Sequence, residues 1–95
     1  MTAYWMSSVN VTNADEYGEY AKLAGPAIVK HGGKFLARGG KSVTFEGDEF
    51  RRLVVIEFDS LDQAVAAYNS PEYAEALRFS ATSSIRNVSI VEGVE

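Results

Sequence analysis

The residues in this sequence that could do chemistry are few, and the most conspicuous is a carboxylate in an apolar setting. Glu57 lies within Leu53-Val54-Val55-Ile56-Glu57-Phe58, where an unpaired negative charge would carry a heavy desolvation cost. Burial raises a carboxyl pKa and suits the group to acid–base work, whereas a nearby arginine lowers it and makes a structural ion pair. Arg38, at the end of a short strand-like run beside Gly39-Gly40, is the expected partner. Glu57 is therefore read either as a catalytic acid or base or as half of an interface pair, and Arg38 as its partner or as a ligand-binding group. His31, the single histidine, stands at the end of a helical pattern. It is either a C-terminal cap favoured by the helix dipole or a second acid–base or ligand-contacting group, because imidazole titrates near neutrality. Tyr20 and Tyr73 read first as core residues with satisfied hydroxyls, and also as residues that could edge a pocket and contact a ligand. Arg78 either complements a helix C-terminus or binds an anion there.

Other chemistries find little support. The absence of cysteine removes thiolate catalysis, disulfides and sulfur-ligated zinc. One histidine does not make the usual zinc or iron ligand set, so no metal is expected. Gly39-Gly40-Lys41-Ser42 looks like the tail of a phosphate-binding loop, but Phe35 occupies the place of the first glycine and a strand is expected to follow. It reads as a bulge, and no cofactor is expected. The formal net charge of −4 comes without any cluster of Lys or Arg, so neither nucleic acid nor an anionic membrane is an expected partner. The N-terminus lacks a basic segment followed by an apolar run, and no stretch approaches the length of a membrane span; a cytoplasmic location is the default expectation. Asn10 and Asn87 open glycosylation sequons that matter only in secreted chains.

The elements that must position these groups follow from periodicity. At 95 residues a single domain spanning 1–95 is expected, and its 46% hydrophobic content suffices for folding without a staple. Residues 3–11 read as a strand. Asn13 and Glu16 have the spacing of a capping box, opening a helix over about 14–30 whose face carries Tyr17, Tyr20, Ala24, Ala27, Ile28 and His31. Pro26 should kink or restart it near Gly25, and Gly32-Gly33 should end it. Lys34–Arg38 and residues 42–46 read as two short strand pieces around a bulge at Gly39-Gly40. Arg52–Phe58 is a strand that must be covered on both faces. Ser60 with Gln63 caps a second helix that restarts at Ser70-Pro71 and continues to about residue 82. Residues 88–91 form the last strand.

This order fits an α+β, ferredoxin-like β-α-β-β-α-β fold, an antiparallel sheet with two helices on one face. Leu53, Val55 and Glu57 point one way, and Val54, Ile56 and Phe58 the other. An apolar row is left on the bare side, and each Val or Leu buried is worth roughly 1.5–3 kcal/mol. Pairing of two sheets about a twofold axis would cover that row, so a homodimer is expected.

Several segments also resemble the domain-of-unknown-function 1330 family of the dimeric α/β-barrel superfamily. They are Tyr20, Gly25-Pro26, His31-Gly32-Gly33-Lys34-Phe35-Leu36-Ala37-Arg38-Gly39-Gly40, Val55-Ile56-Glu57-Phe58 with Ser60, Tyr68-Asn69-Ser70-Pro71-Glu72-Tyr73, Arg78 and Val91-Glu92-Gly93. The resemblance implies the ferredoxin-like fold and dimerisation, and supplies no catalytic residues. Relatives in the superfamily include cofactor-independent monooxygenases, haem-degrading enzymes and lactone isomerases, a fold-level analogy. Two functions are thus expected as alternatives. One is a pocket between sheet and helices that binds or transforms a small organic molecule by cofactor-independent acid–base or oxygenase-like chemistry, with Glu57 and His31 catalytic and Arg38, Tyr20, Tyr73 and Arg78 binding. The other is a non-catalytic structural or interaction dimer.

Overall fold

Period-two alternation sets the architecture. In the computed structural model, which describes residues 1–94, β1 (Ala3–Val11) buries Ala3, Trp5, Ser7 and Val9 and turns Tyr4, Met6, Ser8 and Asn10 the other way. β3 (Arg52–Phe58) does the same with Val54, Ile56 and Phe58 buried. With β2 (Lys34–Arg38) and β4 (Ser84–Glu92) these form a four-stranded sheet of order β2-β3-β1-β4, antiparallel at every pairing. α1 (Ala14–Lys30), α2 (Leu61–Tyr68) and α3 (Pro71–Ser80) lie on the Trp5 side, and the molecule measures only 17 Å along its shortest axis. That is one sheet with one helical layer, and the opposite face is bare.

The helix termini are fixed by side chains. The Asn13 side chain accepts from the Glu16 amide at 3.1 Å, but the reciprocal half of the expected capping box is replaced: the Glu16 carboxylate accepts instead from the Thr82 hydroxyl. α1 runs unbroken through Pro26, where a restart is expected from the sequence. Pro26 and Lys22 are both exposed, so the Lys22 carbonyl that loses its donor faces water. Ser70 closes α2 and opens α3 at once, its hydroxyl donating to the Ala67 carbonyl at 2.8 Å and accepting from the Tyr73 amide at 3.2 Å.

Three strand expectations need correction. Residues 42–46 are irregular, not a strand; Val43 and Phe45 stand 74% and 91% exposed, so their alternation has no sheet to pack on. The bulge falls at Leu36, between Phe35 and Ala37, and not at Gly39-Gly40. β4 is longer than the expected 88–91, because β1 pairs with it from Ser84 to Glu92.

Trp5 is the centre of the core. Its ring stacks on Phe58 at 6.2 Å and meets the edge of Tyr73 at 5.1 Å, contacts that each add to simple area burial. At the rim, the end of α1 is stapled to the start of α3. Glu72 accepts from His31 Nε2 at 2.8 Å and from Lys30 Nζ at 2.9 Å. The His31 bond first, and then the Lys30 ammonium, hold the Glu72 carboxyl at about 2, below its ordinary 4.5. A depressed carboxylate stabilises the fold fully above its unfolded pKa and loses that contribution as pH falls through the folded one. Carbon-detected NMR should therefore find the Glu72 carboxyl titrating near 2, and His31→Ala should move the midpoint toward 4.5. An unmoved midpoint would remove His31 from the staple.

Candidate functional site

The helix-covered half holds a small cleft between α1 and strands β1, β2 and β3, with a volume of about 40 Å³. A single water needs roughly 10–15 Å³ by the same measure, so the space suits a few waters or a small planar group. Trp5, Phe35 and Ile56 give apolar walls, and Ser7, Tyr17, Tyr20, Arg38 and Arg52 supply the polar atoms.

Tyr20 belongs to a buried network that joins three elements. Its hydroxyl lies 2.7 Å from that of Tyr73 on α3. Arg86 of β4 donates to Tyr20 Oη at 2.8 Å and to Tyr73 Oη at 3.2 Å. Arg86 stands at a helix-facing position because β4 alternates Ser84, Arg86, Val88, Ile90 on that side. Burial alone would depress its guanidinium, and the two phenol oxygens more than offset this, leaving its pKa raised. Burial, reinforced by Tyr20, pushes the Tyr73 hydroxyl well above the usual phenol range, against the opposing pull of Arg86. Tyr73 thus keeps its proton.

Where that proton points follows from counting donors. A guanidinium only donates. Tyr73 is fully buried, and among the described residues its hydroxyl has only Arg86 and Tyr20 as partners. Its proton must go to the Tyr20 oxygen or be orphaned in the core. Tyr20 then accepts twice, from Tyr73 and from Arg86, and its own proton is left for the cleft that it lines.

Arg38 reaches the cleft because of the bulge. Phe35 pairs with Ile56, Ala37 with Val55 and Arg38 with Val54; in a regular ladder Leu36 would pair with Val55 and Ala37 with Val54, and Arg38 would fall opposite Leu53 on the bare face. Setting two residues of β2 against one of β3 changes the face of every β2 residue that follows. The guanidinium lies 4.1 Å from the Phe35 ring centroid and against α1 at Gly25, where a Cβ would come within 2.8 Å of Nη2. The helix carries glycine there to admit it. Arg52 lies diagonally from Arg38 on the same face, two residues before Val54, and packs over Gly39. That glycine has φ +73, and a Cβ on it would lie 2.3 Å from Arg52 Nη1. Among the described residues no carboxylate lies within salt-bridge distance of either arginine, and the buried Nε of Arg52 has no hydrogen-bond partner.

The structure therefore brings Tyr20 and Arg38 to the cleft, with Tyr73 hydrogen-bonded behind Tyr20, and leaves the other three sequence candidates elsewhere. Glu57 is half-buried on the bare face, opposite Lys34 and Tyr4, so the expected Glu57–Arg38 pair is not formed: the bulge puts the two on opposite faces of the sheet. His31 is engaged by Glu72 at the rim. Arg78 is exposed and pairs with Glu75 at 3.1 Å, the type of surface contact worth about 0–1 kcal/mol. Arg52 and Arg86 were not singled out by sequence. The period-two placement of Arg86 with Val88 and Ile90, and of Arg52 with Val54 and Ile56, is the signal that marks both as helix-facing.

Fold and comparisons agree. The architecture is α+β and ferredoxin-like. A structure of the RPA0582 protein of unknown function from Rhodopseudomonas palustris superposes with a TM-score of 0.78 at 16% identity, covering 99% of this chain and 83% of that one. SnoaB, a cofactor-independent oxygenase from Streptomyces nogalater, gives 0.70 at 10% identity over 99% and 94% of the two chains. A dimeric protein of unknown function and ferredoxin-like fold from Bacteroides fragilis gives 0.62 at 15% identity over 97% and 96%. No protein of curated function matches. The chain belongs to the family described as "Domain of unknown function (DUF1330)", whose model matches residues 2–94. Among the described residues no helix is long and apolar enough to cross a membrane.

The direction of the Tyr73 proton can be tested by paired deletions. Either Tyr→Phe change removes one acceptor from Arg86, but Tyr20→Phe also strands the buried Tyr73 donor. Urea unfolding should show Tyr20→Phe more destabilising than Tyr73→Phe by on the order of 1 kcal/mol. The reverse order would mean that Tyr20 donates to Tyr73.

Proposed function

We propose that this protein binds a small organic molecule in the cleft under α1 and transforms it by proton transfer, with the Tyr20 hydroxyl as the group that gives or takes the proton. The observation that carries this reading is the Tyr20 oxygen lying 2.7 Å from the buried Tyr73 hydroxyl and 2.8 Å from Arg86; with both as donors, the proton of Tyr20 itself is free. Two donated hydrogen bonds stabilise negative charge on that oxygen, so a phenolate formed during a reaction has its partners already in place. Apolar walls with a few convergent polar groups are the usual make-up of a small-molecule site. The likeness to a cofactor-independent oxygenase supports chemistry of this kind without a bound group, since removal of a proton from an acidic carbon is also the first requirement for its reaction with oxygen.

The bare sheet face is assigned to a second copy of the chain. Met6, Ile85 and Val91 stand 43%, 65% and 48% exposed there, beside the half-buried Leu53 and Val55. A dimer closed through this face would also enclose Glu57 and its cross-strand neighbour Lys34, giving Glu57 an interface role. The neighbour of ferredoxin-like fold from Bacteroides fragilis is dimeric. The small size of the cleft favours one rival, a non-catalytic dimer in which Tyr20, Tyr73 and Arg86 only complete the core.

Tautomerisation of phenylpyruvate, followed by loss of enol absorbance, separates the two. On the proposed reading Tyr20→Phe lowers the rate by about 10²-fold or more, the usual worth of a positioned acid or base, while the variant remains folded. An equal rate with and without the wild-type protein favours the rival. For the dimer, sedimentation velocity should show two copies at micromolar concentration, and Met6→Lys, which places a charge in the apolar face, should give folded monomers. A wild-type monomer would refute the interface.

A further inference from the structure

We infer that the molecule taken into this cleft is an organic anion, a small carboxylate or enolate, and that Arg38 and Arg52 form the clamp that holds its charged end. The inference rests on the proposed small-molecule site and names the chemical class that the site selects. Two guanidiniums lie on the same face of adjacent strands and both line the cleft. A charge withdrawn from water is normally paired and hydrogen-bonded, and a buried donor without a partner calls for a specific explanation. Arg86, on the same side of the sheet, meets that requirement with two phenol oxygens. Among the described residues Arg52 does not: its Nε is buried and unpartnered, and no acid pairs with it or with Arg38, which stands exposed at the edge of the cleft.

The surroundings choose between anions. A guanidinium presents parallel donors that match the two oxygens of a carboxylate. Phe35 below Arg38 and the Trp5 and Ile56 walls suit a flat apolar body behind the charged group. Space for the clamp is built into the backbone, since the glycines at 25 and 39 leave room where a Cβ would meet Arg38 and Arg52. With the anion anchored there, Tyr20 lines the same cleft, and on the proposed reading its hydroxyl serves a neighbouring carbon or carbonyl oxygen of the bound molecule.

Trp5, the only tryptophan, lines the cleft and serves as the reporter. The full-length protein is titrated at neutral pH with benzoate and with its neutral counterpart benzamide, following Trp5 fluorescence. Benzoate should bind at least about tenfold more tightly, the factor expected from one charge-assisted hydrogen bond. The double variant Arg38→Gln, Arg52→Gln should lose about that factor for benzoate and keep its affinity for benzamide. Gly25→Ala supplies a control for folding. Alanine is a better helix former than glycine by up to about 1 kcal/mol, and the atom it would meet is the movable end of Arg38. That variant should melt no lower than the wild type and still bind benzoate more weakly. Equal binding of benzoate and benzamide, unaffected by the arginine substitutions, overturns the anion clamp and leaves the pocket standing. Saturating concentrations of either compound that leave Trp5 unperturbed overturn the pocket itself, and the clamp with it.

Discussion

Three guanidinium groups stand on the helix-covered face of one small sheet, Arg38 exposed at its edge and Arg52 and Arg86 half-buried, and the difficulty of withdrawing the charge of Arg86 from water governs how that half of the molecule is built. Arg86 is reconciled with its surroundings by Tyr20 and Tyr73, which draws α1, α3 and β4 toward one point. The aromatic cluster around Trp5 then packs on the apolar sides of these tyrosines. The same network that satisfies a buried charge therefore also fixes the spacing of the helices above the sheet. Among the described residues Arg38 and Arg52 make no such bond to a phenol oxygen, and the cleft opens where they lie.

The sheet divides the labour of the molecule between its faces. One face carries the helices, the aromatic core and the cleft; the other carries Met6, Val55, Ile85 and Val91 with Glu57 among them. Because side chains alternate strictly along β1 and β3, neither face can be altered by a shift of register without altering the other. The bare face and the cleft are thus built on the same strands, with Val55 and Glu57 on one side interleaved with Val54 and Ile56 on the other.

Much of this was legible in the sequence, and the parts that were not have identifiable causes. β1, α1, β2 and β3 follow their hydrophobic periods and caps closely enough that their limits can be read from residue types alone. The start of β4 cannot, because the helix-facing position is filled by Arg86 where an aliphatic residue would announce a strand; pairing with β1 decides it. Residues 42–46 alternate as a strand would, yet no neighbour is present to receive them. Arg38 and Tyr20 can be named from the sequence as polar residues near a pocket, but the surroundings of Arg38 cannot. Glu57 suits it by charge, and the bulge in β2 turns Arg38 to the opposite face of the sheet. A bulge of one residue leaves almost no trace in composition, so the face on which Arg38 projects is a tertiary fact.

That extra residue, Leu36, has an evolutionary side. A bulge is a place where a strand can gain or lose a residue without turning its neighbours over. In this fold the loss of the Leu36 codon would restore a regular ladder, with Phe35 still opposite Ile56 and Arg38 still opposite Val54, so the cleft would keep its contents. A scaffold of this kind absorbs length variation in an edge strand at little expense to the site or to the packing that keeps it folded.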